Sequence, residues 1–260
     1  MNLFDLTDRV SIVFGAGSGI GAASAQALAT LGSHVLCADF DADAAERTAD
    51  DIRAAGGSAT AHGADLTSRA DVDRVVAAAI TEHGRLDVGV TTPGINIRKR
   101  LFDYTEDDFD RVIALNLKGT LFFLQAAGRV MAEQGSGSLV ACSSMRATMV
   151  EPGLGVYGGT KAAIVQMVRS LAAEIGPAGV RVNAIAPGVI DTPLTRPIKD
   201  DTARYESYAA HTVFNRWGTA EEVAGAVAFL ACDASTYVSG ANLAVDGGWT
   251  AIDGRSEGFR

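Results

Sequence analysis

Short apolar runs alternate along the chain with longer stretches in which apolar residues recur every three or four positions. Residues 10–14, 33–39, 59–63, 86–91, 138–142, 180–186 and 242–246 read as strands. Between them, residues 22–31, 41–55, 69–82, 109–134, 156–175 and 221–231 read as helices. In 69–82, for example, Val72, Val75, Val76, Ala79 and Ile80 share one helical face. Strands separated by helical crossovers pair in parallel, and strands apolar at nearly every position are covered on both faces. The expected fold is α/β: a Rossmann-type doubly wound parallel sheet forming a single domain over 1–260. Residues 191–217 break the rhythm with prolines at 193 and 197, mixed charges, and Tyr205, Tyr208 and Phe214. That stretch is too long for an ordinary connection and follows a strand end, where open sheets of this kind bind ligands, so a helical substrate lid is expected there.

Composition narrows the partners. The chain has 260 residues, 48% of them hydrophobic, enough for a large core. Its 22 basic and 31 acidic residues leave a net charge of −9, which argues against nucleic acid and against an anionic membrane surface. Three cysteines are too few for a disulfide framework. No apolar run approaches the ~18 residues of a membrane span, and the first residues carry acids where a signal peptide carries bases. A soluble, cytoplasmic protein with a small-molecule substrate is expected. His34, His62, His83 and His211 have no spacing that points to a metal or a triad, so no metal is expected.

The chemistry begins at the turn Gly15-Ala16-Gly17-Ser18-Gly19-Ile20-Gly21, which follows a strand and opens a helix. Glycines let the backbone turn sharply and approach a pyrophosphate, and the helix N-terminus offers its free N–H groups to that anion. No lysine stands in the turn, so it is not a nucleoside-triphosphate loop. Asp39 ends the second strand, where a carboxylate accepts both ribose hydroxyls and repels a 2′-phosphate. Phe40 follows where a phosphate site would offer arginine, and Ser18 is uncharged, so NAD is expected rather than NADP. Farther on, Tyr157 and Lys161 stand at i and i+4 on one helical face, where the ammonium favours the phenolate form. Ser144, at the end of a neighbouring strand, can hydrogen-bond a reacting oxygen.

With these pieces in order the chain resembles the short-chain dehydrogenase/reductase family, in its branch of about 250 residues, over essentially its whole length. The matching motifs are Gly15-x-x-x-Gly19-x-Gly21, Asp65-Leu66, Asn116, Ser144, Tyr157-x-x-x-Lys161, Asn183-x-x-x-Pro187-Gly188, Arg216-Trp217-Gly218 and Asp246-Gly247-Gly248. The resemblance implies that Tyr157 is the general acid/base, that Lys161 holds the nicotinamide ribose and tunes Tyr157, and that Ser144 orients the substrate carbonyl. It implies that Asn116 completes a proton relay toward Lys161. It places Asp65 by the adenine, with Leu66 also in the cofactor site. Gly94 lies by the cofactor ribose, and Ile190 and Thr192, just after Pro187-Gly188, flank the nicotinamide carboxamide. It further implies a homotetramer assembled partly through helices 109–134 and 156–175. Two departures stand out: Phe14 replaces the usual Thr before the turn, and Thr91-Thr92-Pro93-Gly94 replaces Asn-Asn-Ala-Gly.

The implied reaction is NAD(H)-dependent interconversion of a secondary alcohol and a ketone. Alternatives are a β-ketoacyl carrier-protein reductase using NADPH and a non-enzymatic dinucleotide-sensing scaffold. Asp39-Phe40 counts against the first, and the intact Ser144, Tyr157, Lys161 and Asn116 against the second. The segment Asn96-Ile97-Arg98-Lys99 resembles gluconate 5-dehydrogenase-like and tropinone reductase-like members. Arg98 and Arg146 could clamp a carboxylate of a sugar acid; otherwise these bases pair with Asp103, Glu106, Asp107 or Glu151. Leu154, with Met145, Met149, Val150 and Phe214, could form an apolar wall, and His211 could meet substrate from the lid.

Overall fold

A computed structural model of the chain describes residues 3–252; residues 1–2 and 253–260 of the expected domain lie outside the described part. Seven strands form one parallel sheet in the order β3-β2-β1-β4-β5-β6-β7: β1 Val10–Phe14, β2 His34–Asp39, β3 Ser58–Gly63, β4 Val88–Thr91, β5 Gly137–Cys142, β6 Val180–Pro187 and β7 Asn242–Val245. Successive side chains of a strand point to opposite faces, and both faces are apolar. Val10, Ile12 and Phe14 pack with α3 (Arg69–His83), α5 (Thr120–Gln134) and α6 (Gly155–Ile175). Val13 faces the other layer, made of α1 (Gly19–Thr30), α2 (Ala42–Ala54) and α9 (Ala220–Ala231). The expected doubly wound architecture is therefore present. Cys37, Cys142 and Cys232 are buried and unbridged, and burial pushes the Cys37 thiol up to about 12. No described helix is long and apolar enough to cross a membrane.

Chain order reverses direction at β1, whose neighbours are β2 and β4. The loops after β1 and β4 leave toward opposite faces, opening a crevice at their C-terminal ends.

The long helix expected over 109–134 differs in detail. It starts earlier, as α4 (Glu106–Val112), because Thr105 and Asp108 form a reciprocal capping box. It then widens into a π-helical stretch over Ile113–Gly119 before continuing as α5. Asn116 sits in that stretch, and such π segments often mark functional positions. Periodicity alone misses the change, since an apolar face of about the same width runs through both geometries.

The 191–217 stretch holds two short helices, α7 (Arg196–Lys199) and α8 (Thr202–Ala210). A third apolar cluster lies here, with Ala209, Tyr205, Tyr208 and Ile198 against Met145, Val189, Trp217 and Trp249.

Candidate active site

The crevice between the β1 and β4 loops is a cleft of about 660 Å³. Gly15, Ser18, Gly19, Ile20, Gly21, Asp39, Phe40, Asp65, Leu66, Gly94 and Thr192 all line it. The glycine positions of the turn have no room for side chains. A Cβ on Gly21 would stand 1.9 Å from the Gly15 carbonyl oxygen, and Gly15 itself has a left-handed φ of +84°. Ser18 caps α1 without a side-chain hydrogen bond, and no acid lies in the first turn. The helix N-terminus is thus left available to an anion in the cleft.

Asp39 is held at the cleft wall. Its Oδ2 accepts the Gly17 N–H at 2.8 Å and its Oδ1 accepts the Asp41 N–H at 3.0 Å. Phe40 beside it is 81% exposed, with no cation in its place. Asp65 keeps one carboxylate oxygen on the backbone N–H and hydroxyl of Thr67. These features fit a nicotinamide dinucleotide: a turn with glycine at its close approaches, a helix N-terminus without a side-chain cap, and a strand-end carboxylate.

The departures from the family pattern are accommodated here. Thr92 donates its hydroxyl to the Phe14 carbonyl at 3.0 Å, and its backbone N–H reaches the same oxygen at 3.1 Å. That Oγ1 would lie only 2.5 Å from a Cβ on Gly15 and 2.7 Å from one on Gly21, so Thr92 buttresses the turn. Thr91, by contrast, keeps a buried hydroxyl without a partner.

Gly94 joins the cleft to the reactive side chains. A Cβ there would lie 3.2 Å from the Lys161 Nζ and 3.5 Å from the Asn116 Oδ1. Lys161 is 2% exposed, and its Nζ donates to the Cys142 carbonyl at 2.7 Å. Its Nζ also lies 5.6 Å from the centre of the Tyr157 ring. Asn116 accepts the Ile95 N–H at 2.8 Å and donates to the Ile95 carbonyl and the Thr160 hydroxyl. It therefore holds the loop after β4 against α6. Ser144, 7% exposed, accepts the Arg146 N–H at 3.1 Å, which leaves the hydroxyl proton of Ser144 free to donate. Ser143 donates its hydroxyl to the Lys161 carbonyl and fixes α6 to the end of β5.

Pro187 ends β6, and Gly188 is pressed against Asp246, whose Cα would lie 2.7 Å from an added Cβ. The Ile190 side chain is buried in the core at 5% exposure, so only its backbone can face the cleft. Thr192 packs near Gly19, and its N–H donates to Thr195 Oγ1 at 3.1 Å.

On the substrate side, Arg98 and Arg146 come together on one acid. Glu151 accepts Arg98 at 2.5 Å, and it also pairs with Arg146 and accepts the Tyr208 hydroxyl of α8. The alternative pairing with local acids is thus realised, and two guanidiniums around one carboxylate leave one net positive charge. Lys99 and Arg100 are likewise taken up, by Asp108 and Asp103. Burial raises the Glu151 carboxyl, but hydrogen bonds from Tyr208 and Arg98 and the charge of Arg146 outweigh it and hold it below the usual range. Arg146 lies 5.3 Å over the Trp249 ring, and His211 stacks on that ring at 4.7 Å. Leu154 is buried at the start of α6.

Trp249, the role of Glu151 as a shared acceptor, and Arg111, which lines the cleft, were not singled out as site residues from sequence. Glu151 appeared there only as one acid among several. The signal for Trp249 was its position directly after Gly247-Gly248. That for Arg111 was its position one turn before Leu115, which also lines the cleft. Among the described residues no group of three or more His, Cys, Asp or Glu could hold a metal ion.

Comparison with known proteins agrees with this geometry. A family model described as enoyl-(acyl carrier protein) reductase matches residues 15–250. The chain is 39% identical to the short-chain reductase protein NovJ of Streptomyces niveus, covering 93% of this chain and 94% of that one. It is 36% identical to an L-rhamnose 1-dehydrogenase (NAD(P)(+)) of Azotobacter vinelandii, covering 94% and 97%. The crystal structure of a gluconate 5-dehydrogenase from Burkholderia cenocepacia, in complex with NADP and tartrate, superposes with a TM-score of 0.92 at 31% identity, covering 96% and 98%. The chain belongs to the short-chain dehydrogenase/reductase family, whose members are NAD(P)-dependent oxidoreductases acting on CH–OH groups.

Proposed function

We propose that the protein uses NAD(H) to interconvert a secondary alcohol and a ketone on a sugar acid or polyol. The observation that carries the cofactor choice is Asp39, fixed by the Gly17 and Asp41 N–H groups with exposed Phe40 beside it. A carboxylate held there favours ribose hydroxyls and opposes a 2′-phosphate. The NADP-bound relative makes this a sharp choice for this chain.

The bound nicotinamide supplies the hydride exchange. Tyr157 gives or takes the proton at the substrate oxygen, with the Lys161 Nζ 5.6 Å from its ring centre. Ser144 donates its free hydroxyl proton to the same oxygen. Asn116, tied to Ile95, keeps Gly94 close to Lys161 and carries the proton relay onward. The net positive charge of Arg98, Arg146 and Glu151 supports a substrate with a carboxylate or several hydroxyls, and residues 191–217 close over it as a lid. The named activities of the relatives, on rhamnose and gluconate, support the same class. The apolar groove lined by Leu101, Phe109, Leu117 and Val156 supports assembly into a homotetramer.

The test is a panel of sugar acids, polyols, cyclic alcohols and hydroxyacyl thioesters, each with NAD and with NADP. Turnover of a sugar acid or polyol with NAD at least ~10-fold better than with NADP is expected; equal or better rates with NADP overturn the cofactor choice. On the substrate so found, Tyr157→Phe should lower kcat by ~10³-fold; undiminished turnover would remove Tyr157 from the acid/base role.

A further inference from the structure

The cleft contains one cation that none of the motifs explains. Arg111, next to last in α4, lines the cleft, as do Leu115 one turn further on and Leu66 and Thr67. It is exposed, and among the described residues it makes no ion pair. Acids are available on its own helix: Asp107 and Asp110 leave Arg111 unpaired, and Asp108 is taken by Lys99 and by the cap at Thr105. Among the described residues lining the cleft, Asp39 and Asp65 are the acids and Arg111 is the base.

That balance is unfavourable for a dinucleotide. The ligand brings two phosphate charges into a protein of net charge −9, past two carboxylates. The N-terminus of α1 offsets part of this, but its effect falls off within one helical turn. A guanidinium without a protein partner keeps its charge and donors for a ligand, and its flat face can lie against a nucleobase.

We propose that Arg111 is a cofactor-affinity residue that binds the adenylate half of the dinucleotide; the proposal rests on the dinucleotide reading of the cleft. Arg111 adds a second positive side-chain charge to that of Lys161 beside Gly94, and lines the cleft as Leu66 and Leu115 do. It takes no part in proton or hydride transfer, so its loss acts on binding.

The experiment is calorimetric titration of ADP-ribose and of nicotinamide mononucleotide into the wild type and into Arg111→Lys, Arg111→Ala and Arg111→Glu, with steady-state kinetics beside it. The expected Kd for ADP-ribose rises about fivefold for Ala, more for Glu and less for Lys. The KM for NAD should follow, while kcat at saturating NAD falls less than about twofold. Added salt should weaken ADP-ribose binding by the wild type more than by Arg111→Ala. Wild-type affinity in the Ala and Glu variants would overturn the proposal, as would an equal loss for nicotinamide mononucleotide. If the wild type itself fails to bind ADP-ribose, the dinucleotide reading falls with it.

Discussion

The two walls proposed for cofactor and for substrate share one sheet edge and are held by different means. Along residues 15–21, 39 and 92–94, position is set by the backbone. Glycines occupy places where a Cβ would meet a carbonyl, a hydroxyl or an ammonium, and amide N–H groups hold the Asp39 carboxylate. Along 95–100, 145–154, 205–211 and 249, position is set by side chains from four separate segments meeting at Glu151 and Trp249. The first kind of wall suits one invariant ligand, because its geometry is fixed by local chain sterics. The second can be re-cut for a new substrate by changing a few side chains without disturbing the turn. Sequence variation between relatives of one fold concentrates in such places.

Three tests probe this contrast. The largest effect belongs to Gly21→Ala. Its Cβ would overlap a backbone oxygen that cannot move without dragging β1, so a loss of about 3 kcal/mol of stability and of cofactor binding is expected. Thermal unfolding and NAD titration read it; a variant as stable as the wild type would mean the turn is set elsewhere. Next is Glu151→Gln, which leaves Arg98 and Arg146 without their shared anion. Partial exposure moderates the cost to about 2 kcal/mol by urea unfolding, and kcat/KM for substrate should change far more than the Kd for NAD. Parallel changes in both would show that the two walls are not independent.

The smallest effect is acid sensitivity, which should reach the two regions in order. His34, at the end of β2 away from Asp39, and His62 on β3 lie below their ordinary 6.5 chiefly through burial. His83 adds repulsion, Arg74 acts on His62 in the same sense, and Glu82 opposes. Their folded values are depressed, so the unfolded chain binds more protons as the pH drops. The stability they confer is full above about 6.5 and is lost as pH falls through their folded values. Glu151, depressed below 4.5, contributes stability above that value and loses it only at lower pH. Melting temperature should therefore fall by about 3 °C between pH 7 and 5, less in His34→Gln, with the Glu151 cluster losing its contribution only below the ordinary carboxylate range. A drop that His34→Gln leaves unchanged would assign it to other groups.

The order of elements, the sheet class and the common helical face of Tyr157 and Lys161 were legible because each rests on a local rule. A strand has period two, a helix 3.6, and a Tyr and a Lys at i and i+4 share a face whatever surrounds them. The glycine turn was legible for the same reason, since steric exclusion there acts between residues close in sequence. The π-helical stretch around Asn116 was not, because its apolar face continues that of the flanking helices.

The chain's own residues thus determined the doubly wound sheet, the glycine turn after β1 and the shared helical face of Tyr157 and Lys161. Tertiary structure alone decided how Arg98, Arg146 and Tyr208 are spent on Glu151, that Thr92 bonds to the Phe14 carbonyl, and that among the described residues Arg111 makes no ion pair in the cleft. These are encounters between segments distant in sequence. Charge pairing depends on distance in space, and no local pattern records which of several acids a given arginine will reach.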